Sequence, residues 1–291
     1  MTAGKSLALI LVAFLALGCG DRIEPEEEHS KNPEPSREKI YKVVAHRGGY
    51  LENALPACSI ASLKDAINIH CYASECDIMW TGDGDVVVCH PDGNYMINGL
   101  VPSEHTLAEI RAAGKLSNGE QMPSLSDFLA VVTDKGINAL GTKLWLDVKG
   151  PDRQLQEKVM RRAAEIAKSA GAASLVEMLV PSGFEEYSSF AEEMRSSYGI
   201  ACAWNGKVVS ASSYGPAGWG QLPYSSYRKS SFWPPTGYFD YGVGVSIYHT
   251  PSNTDYGNFY ADIKSYYPRL KAIFVNHPRM FIQKLKADGL E

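Results

Sequence analysis

The sequence lacks an apolar run long enough to cross a membrane. The longest, Leu7–Leu17, has 11 residues; as a helix it would span about 16 Å, against roughly 30 Å of bilayer hydrocarbon. The chain also lacks any block of Lys or Arg, and its 28 basic and 33 acidic residues give a net charge of -5. Binding along a phosphate backbone needs a concentrated positive surface, so nucleic acid is not expected as the main partner. Cysteine is sparse, six in 291 residues, which excludes a small fold held by disulfides. What is present suits a globular chain. Hydrophobic residues make up 45% and charged residues 21%, enough apolar side chain for a core and too much for wholesale disorder.

Lys5 before the apolar run and small residues after it mark a targeting segment. Its end, Leu15-Ala16-Leu17-Gly18-Cys19, resembles a bacterial lipoprotein signal. That resemblance implies cleavage before Cys19, lipidation of Cys19, and a protein anchored by lipid to a membrane of the bacterial cell envelope. The other reading is an ordinary secretory signal in which Cys19 is incidental. Residues 1–18 are thus a signal peptide and 19–39 an acidic flexible tether. Residues 20–39 hold seven acidic residues, three prolines and one aliphatic residue, Ile23, and such a composition has almost no apolar area to bury. The folded domain is expected over 40–291.

From Ile40 the pattern alternates. Strands are expected at Val43–His46, Tyr72–Trp80, Val86–His90, Leu144–Val148, Leu175–Val180, Ile200–Trp204, Val243–Tyr248 and Ala272–Asn276. Helices are expected at Leu55–Ile69, Ser124–Val132, 152–170, Phe184–Met194, Asn258–Tyr267 and Met280–Lys286. A long connection, Pro91 to Met122, follows the third strand. Eight strand-like runs separated mostly by helices predict a single-domain α/β fold, a (β/α)₈ TIM barrel with an insertion after strand 3.

Ionisable residues gather at the ends of the first four predicted strands. His46 ends the first, and Glu75 and Asp77 lie two apart on the second. His90 ends the third, and Asp147 and Lys149 lie two apart at the end of the fourth. Residues two apart on a strand share one face, and barrel active sites lie at the C-terminal ends of the strands. Clustered buried carboxylates need a cation or paired bases. Glu75, Asp77 and Asp147 offer hard oxygen atoms, suited to Mg²⁺ or Ca²⁺ rather than Zn²⁺. The alternative is an ion-pair network with Arg47 and Lys149.

The motifs then resemble a known family. Ala45-His46-Arg47-Gly48-Gly49 with Leu51-Glu52-Asn53, Glu75-Cys76-Asp77, the strand Val86 to His90, Thr106-Leu107-Ala108-Glu109-Ile110, Met122-Pro123-Ser124-Leu125 and Leu146-Asp147-Val148-Lys149 follow one another in the order found in glycerophosphodiester phosphodiesterases. The resemblance is dense over residues 43–149 and thin beyond. It implies a (β/α)₈ barrel with a divalent metal on Glu75, Asp77 and Asp147. It also implies acid–base chemistry by His46 and His90, phosphate contact by Arg47, and Glu52 beside the metal as ligand or support. Three departures stand out: Pro91 separates His90 from Asp92, Asp147 stands where Glu is commoner, and Ala54 replaces a Thr. None removes a catalytic group. The activity implied is metal-dependent hydrolysis of a small-molecule phosphodiester, with Lys149 and Arg47 on the phosphate, His46 as base and His90 as acid. The two histidine roles can be exchanged, and the nucleophile is water or a neighbouring glycerol hydroxyl.

Other residues are read more plainly. Cys76 and Cys89 should face the helix layer, with Cys58 packed nearby as a thiol, or one disulfide could join two of Cys58, Cys71, Cys76 and Cys89. His249 and His277 follow late strands and are candidates for substrate contact. Residues 214–241, between the sixth and seventh predicted strands, hold Trp219, Tyr224, Tyr227, Phe232, Trp233, Tyr238, Phe239 and Tyr241 among Gly, Pro and Ser. They would serve as a wall for the leaving group or simply pack on the barrel. Two other functions fit less of the sequence: a non-catalytic glycan- or ligand-binding lipoprotein, and a phospholipase D-like enzyme on the same barrel.

Overall fold

The computed structural model describes residues 39–290; the signal segment, Cys19 and the tether up to residue 38 lie outside them. In chain order the strands are β1 (Tyr41–Ala45), β2 (Cys71–Trp80), β3 (Val86–Val88), β4 (Lys143–Val148), β5 (Val176–Val180), β6 (Ala201–Asn205), β7 (Gly218–Pro223), β8 (Gly244–His249) and β9 (Ala272–Val275). All but β3 run parallel, in the order β1-β2-β4-β5-β6-β7-β8-β9, and β9 pairs with β1 to close the ring. This is the expected (β/α)₈ barrel.

The α-helices are α1 (Tyr50–Asn53), α2 (Ile60–Asn68), α3 (Leu107–Ala113), α4 (Leu125–Thr133), α5 (Arg153–Ser169), α6 (Tyr187–Glu193), α7 (Tyr224–Tyr227), α8 (Thr236–Asp240), α9 (Phe259–Ile263) and α10 (Pro278–Ala287). Their starts follow local chemistry. The Ser59 and Ser124 hydroxyls accept from the backbone N–H groups of Ser62 and Asp127, satisfying otherwise unpaired donors of α2 and α4. The long α5 begins on Asp152, whose carboxylate accepts from Leu155 N at 2.9 Å. It buries Val159, Met160, Ala163, Ala164 and Ala167 along one face.

The strand count of eight is right, but two of its members are corrected. The third predicted strand is not a barrel strand: β3 runs antiparallel to the end of β2, with Ile78 opposite Val88 and Trp80 opposite Val86. The five-residue turn 81–85 after Trp80 is too short for a crossover helix, so the chain can only fold straight back. The insertion therefore follows the second barrel strand and its hairpin, not a third barrel strand.

The missing member is β7, inside the aromatic tract. Its sequence, Gly-Trp-Gly-Gln-Leu-Pro, carries no β-branched residue and reads as loop. The glycines are there because rings lie against them: a Cβ on Gly218 would collide with the Tyr187 hydroxyl, and one on Gly220 would lie 2.9 Å from Cζ of Tyr214.

The barrel interior is filled by Val44, Ala73, Trp145, Leu179, Ala203, Trp219, Ala272 and Phe274. The alanines leave room for two indoles, and the Trp145 and Trp219 ring centres lie 5.7 Å apart. Trp219 is buried, and its Nε1 donates to Ser246 Oγ at 3.0 Å. Of the two readings for this residue, packing is the one observed. Beneath this layer, at the N-terminal ends of the strands, Glu177 accepts from Lys143 (2.7 Å), Trp145 Nε1 (2.7 Å), Tyr72 (2.9 Å) and Lys271 (3.0 Å). The lower end is thus closed by one carboxylate shared among four donors. No helix of the described residues is long and apolar enough to cross a membrane.

Candidate active site

At the opposite, C-terminal end, β1 stops at Ala45 and the chain turns sharply through His46–Gly48. Arg47 sits in the left-handed region (φ 50°), and Gly48 follows at φ 79°. A Cβ on Gly48 would strike Ser62, so the turn needs glycine both for its dihedral and for its approach to α2. The turn aims His46 and Arg47 over the barrel mouth.

Next to it, β2 and β4 are paired so that Asp77 stands opposite Asp147. Adjacent strands lie roughly 4.8 Å apart, so the register alone brings the two carboxylates together, and Glu75 joins them from the same face of β2. Ligand atoms of Glu75, Asp77 and Asp147 all lie within 4.8 Å of one another. The hairpin brings in His90: Cys89 N donates to the Asp77 carbonyl at 3.0 Å, which sets His90 at the rim of the cluster.

The charges do not balance within the cluster. Lys149 Nζ lies 2.7 Å from Asp147 Oδ2 and 3.2 Å from Asp77 Oδ1, and Arg47 Nε lies 3.2 Å from Asp77 Oδ2. Two cations face three carboxylates. Glu75 is left short: Oε2 accepts from Arg47 N at 2.9 Å, while the buried Oε1 has no hydrogen-bond partner. Burial, then the charges of Asp77 and Asp147, push the Glu75 carboxyl well above its ordinary range. Burial likewise raises Asp147, and although burial opposes the Lys149 charge, Asp147 and Asp77 hold that ammonium above its usual range. A buried carboxylate oxygen without a partner in an under-neutralised oxygen cluster is what a hard divalent cation satisfies, so the residues fit Ca²⁺ or Mg²⁺.

His46 is held by Asn276, just past the end of β9. Nδ1 of His46 lies 2.5 Å from Asn276 Oδ1, and Asn276 Nδ2 donates to the Pro251 carbonyl at 2.7 Å. The second bond fixes which way the amide points, so its oxygen accepts and His46 Nδ1 carries the proton. Nε2, 3.9 Å from Glu75 Oε2, is then the free base. Burial, aided by the Arg47 charge, brings His46 down to about 4. It is neutral at neutral pH. Burial also lowers His90.

One contact ties these parts together. Cys58 N donates to the Arg47 carbonyl at 3.2 Å, and its thiol Sγ lies 3.6 Å from Asp77 Oδ2. Cys58 thus grips both the His46–Gly48 turn and a cluster carboxylate, from a left-handed backbone conformation of its own (φ 55°).

His46, Arg47, Glu75, Asp77, His90, Asp147 and Lys149 therefore meet at one end of the barrel. Glu52 is engaged elsewhere: its carboxylate accepts from Arg279 N (2.6 Å) and Met280 N (2.8 Å), capping α10 beside the site. His277 Nδ1 meets the Tyr256 hydroxyl at 3.0 Å in the buried wall, and His249 packs among Tyr224, Tyr256 and Phe259. The five cysteines of the described residues are free thiols. Sequence reasoning missed Asn276, Asn205 and Tyr248. Each stands at a C-terminal strand end, the signal that could have found them. Asn205 Nδ2 lies 3.4 Å from Asp147 Oδ1. Asn205, Tyr248, Ser182, Asp147 and Lys149 line a polar cleft of about 320 Å³.

No family model matches the chain, and no curated protein matches it. Solved structures do. A glycerophosphodiester phosphodiesterase from Parabacteroides distasonis aligns with a TM-score of 0.68 at 20% identity, covering 87% of this chain and 99% of that one. A phosphodiesterase from Oleispira antarctica, solved in complex with the product sn-glycerol-3-phosphate, aligns at 0.63 and 21% identity, covering 85% and 97%. A glycerophosphodiester phosphodiesterase from Thermotoga maritima aligns at 0.56 and 13%, covering 84% and 99%. At these identities the likeness establishes a shared fold over nearly the whole of each relative.

Proposed function

We propose that the protein is a metal-dependent glycerophosphodiester phosphodiesterase, hydrolysing a small-molecule diester to an alcohol and glycerol phosphate. The observation that carries this reading is the partnerless Glu75 Oε1 in the Glu75–Asp77–Asp147 cluster, ringed by His46, His90, Arg47 and Lys149. The structural relatives, named for this activity, support it.

Glu75, Asp77 and Asp147 would hold Ca²⁺ or Mg²⁺, which supplies positive charge against the phosphate oxygens. Arg47 and Lys149 face the same space and take non-bridging oxygens as a cation relieves them of neutralising carboxylates. His46, neutral and fixed with Nε2 free, accepts the proton of the nucleophile. His90 gives a proton to the departing alkoxide, and its lowered pKa makes its protonated form the stronger acid. The nucleophile is water or the neighbouring glycerol hydroxyl; a transient cyclic phosphate marks the second route. Anchoring of the protein to the cell envelope through lipid on Cys19 is part of the same proposal and rests on the signal sequence alone.

Incubation of the protein with a panel of glycerophosphodiesters in Ca²⁺ or Mg²⁺ buffer, with products identified by NMR, tests the reading. Release of glycerol phosphate is the expected result; no release from any member refutes it.

A further inference from the structure

The aromatic tract between β6 and β8 divides into two sets of rings. Trp219, Tyr227 and Tyr238 are buried against the barrel. Phe232 and Tyr241 are 38% and 65% exposed, and Trp233, between α7 and α8, is half-buried. Two clefts open beside these last three rings. One, of about 360 Å³, has Phe232, Trp233 and Tyr238 in its lining, and the other, of about 510 Å³, has Pro216, Tyr241 and Val243. Ala211 lines both, and no charged residue lines either.

The charge around them is of one sign. From Met194 to Phe239 the chain has no Asp or Glu, although it carries 33 acidic residues in all. The basic residues of that stretch are Arg195, Lys207, Arg228 and Lys229. Glu192 neutralises Arg195, and Asp262 neutralises Arg228 at 2.8 Å. Lys207 and Lys229 have no carboxylate partner among the described residues: Lys207 lies over the Trp204 ring at 5.3 Å, and Lys229 is exposed. Lys207 comes shortly before Ser210 in the chain and Lys229 shortly before Ser231, and both serines line the smaller cleft. Asp240, the next carboxylate, is met by Arg269 at 3.3 Å. This region is left with uncompensated positive charge in a chain of net charge -5.

We infer that this region is a membrane-contact surface, which lays Phe232, Trp233 and Tyr241 into the interfacial layer of a bilayer and sets Lys207 and Lys229 against anionic headgroups. Aromatic side chains favour that layer because it takes their apolar bodies and leaves their polar tips wet. Each lysine near an anionic surface strengthens binding about fivefold, equivalent to roughly 1 kcal/mol. An acidic face would be repelled, and this stretch has no carboxylate of its own. Three rings and two lysines give weak, reversible binding by themselves. The proposed lipid on Cys19 would hold the domain near a bilayer, where a weak contact is enough to orient it. The inference depends neither on that lipid nor on the hydrolase reading.

The test uses the mature chain, residues 19–291, with Cys19→Ala, so that no lipid can attach. Its partition onto vesicles of phosphatidylcholine, with and without phosphatidylglycerol, is measured by sedimentation. It should bind both, and bind those with phosphatidylglycerol more tightly at low salt. Phe232→Ser with Tyr241→Ser should weaken binding to both vesicles at least about tenfold, and the melting temperature should hold because both rings are exposed. Lys207→Gln with Lys229→Gln should lose about fivefold per lysine on phosphatidylglycerol vesicles alone. Brominated lipid should quench the tryptophan fluorescence of the parent chain, and Trp233→Phe should lose most of that quenching, since Trp145, Trp204 and Trp219 are buried. Absence of vesicle binding, or binding unmoved by either pair of substitutions, overturns the assignment. So does a dimer in gel filtration that Phe232→Ser with Tyr241→Ser abolishes, which would give the face to a second copy of the chain.

Discussion

Asn276 accepts a hydrogen bond from Nδ1 of His46 across 2.5 Å, and its own amide is pinned by the Pro251 carbonyl. The residue that fixes the proposed base thus comes from the last strand end and the base itself from the first, neighbours only because β9 pairs with β1. Replacing Asn276 by Leu frees the ring to adopt the other tautomer. The expected loss is in kcat, roughly 10–100-fold by analogy with other partners that orient imidazoles, with KM and melting temperature little changed. Unchanged kcat would make Asn276 a packing residue.

Metal binding should be visible without turnover. A ligand at 100 times its Kd stabilises by about 2.7 kcal/mol, so Ca²⁺ or Mg²⁺ should raise the melting temperature of the wild type. Glu75→Gln and Asp147→Asn should lose that rise. A rise of equal size in both variants would place the ion elsewhere.

Cys58→Ala removes the thiol that meets Asp77 but leaves the backbone tie to Arg47. Metal affinity measured by calorimetry should fall about tenfold, within the range for groups that support ligands, and Cys58→Ser, which restores a donor, should recover it. Equal affinity in all three proteins would contradict a positioning role.

Glu177 gives a prediction about pH. Burial alone would raise its carboxyl, but Lys271 and Lys143 outweigh burial and hold it below the ordinary range. A depressed folded-state value contributes stability that is present above the unfolded value, about 4.5, and is lost as pH falls through the folded one. Glu177→Gln should therefore be less stable than the wild type at pH 7, by up to about 3 kcal/mol given that both amines keep some solvent contact. The gap should narrow below pH 4.5. A gap constant down to pH 3 would mean that the carboxylate charge contributes nothing.

Trp219→Ala should behave as a core deletion, costing about 3–5 kcal/mol and leaving the ranking of substrates unchanged. A changed ranking in a stable protein would return Trp219 to the substrate.

The placement of the site was legible because it rests on spacing. Glu75/Asp77 and Asp147/Lys149 are pairs two apart on apolar strands, and period-two alternation carries them to one face. The element identities were less legible where tertiary packing overrides local preference. Val86–Val88 has strand composition, but nothing local says that it returns on β2 instead of entering the barrel. β7 has loop composition because its glycines serve the rings of Tyr187 and Tyr214, which are distant in sequence. Asn276 was passed over, and Cys58 read only as a packed thiol or a disulfide candidate, for the same reason: their partners, His46 and Asp77, are set by the closure of the ring and by the turn after β1. Glu52 lies in the motif region, yet its carboxylate is taken up by the N-terminus of α10, more than 220 residues away.

The Cys19 anchor is tested by fractionation. Wild type should partition with membranes and Cys19→Ala should not. Equal soluble partition of the two would remove the lipid.

The most direct test of the central claim is glycerol phosphate release by the wild type, His46→Ala and His90→Ala, each in Ca²⁺ or Mg²⁺ and in excess chelator. The account predicts release by the metal-loaded wild type alone, with each variant reduced at least about 100-fold while keeping the metal-induced rise in melting temperature. Full release in chelator, or an undiminished rate in either histidine variant, would contradict it.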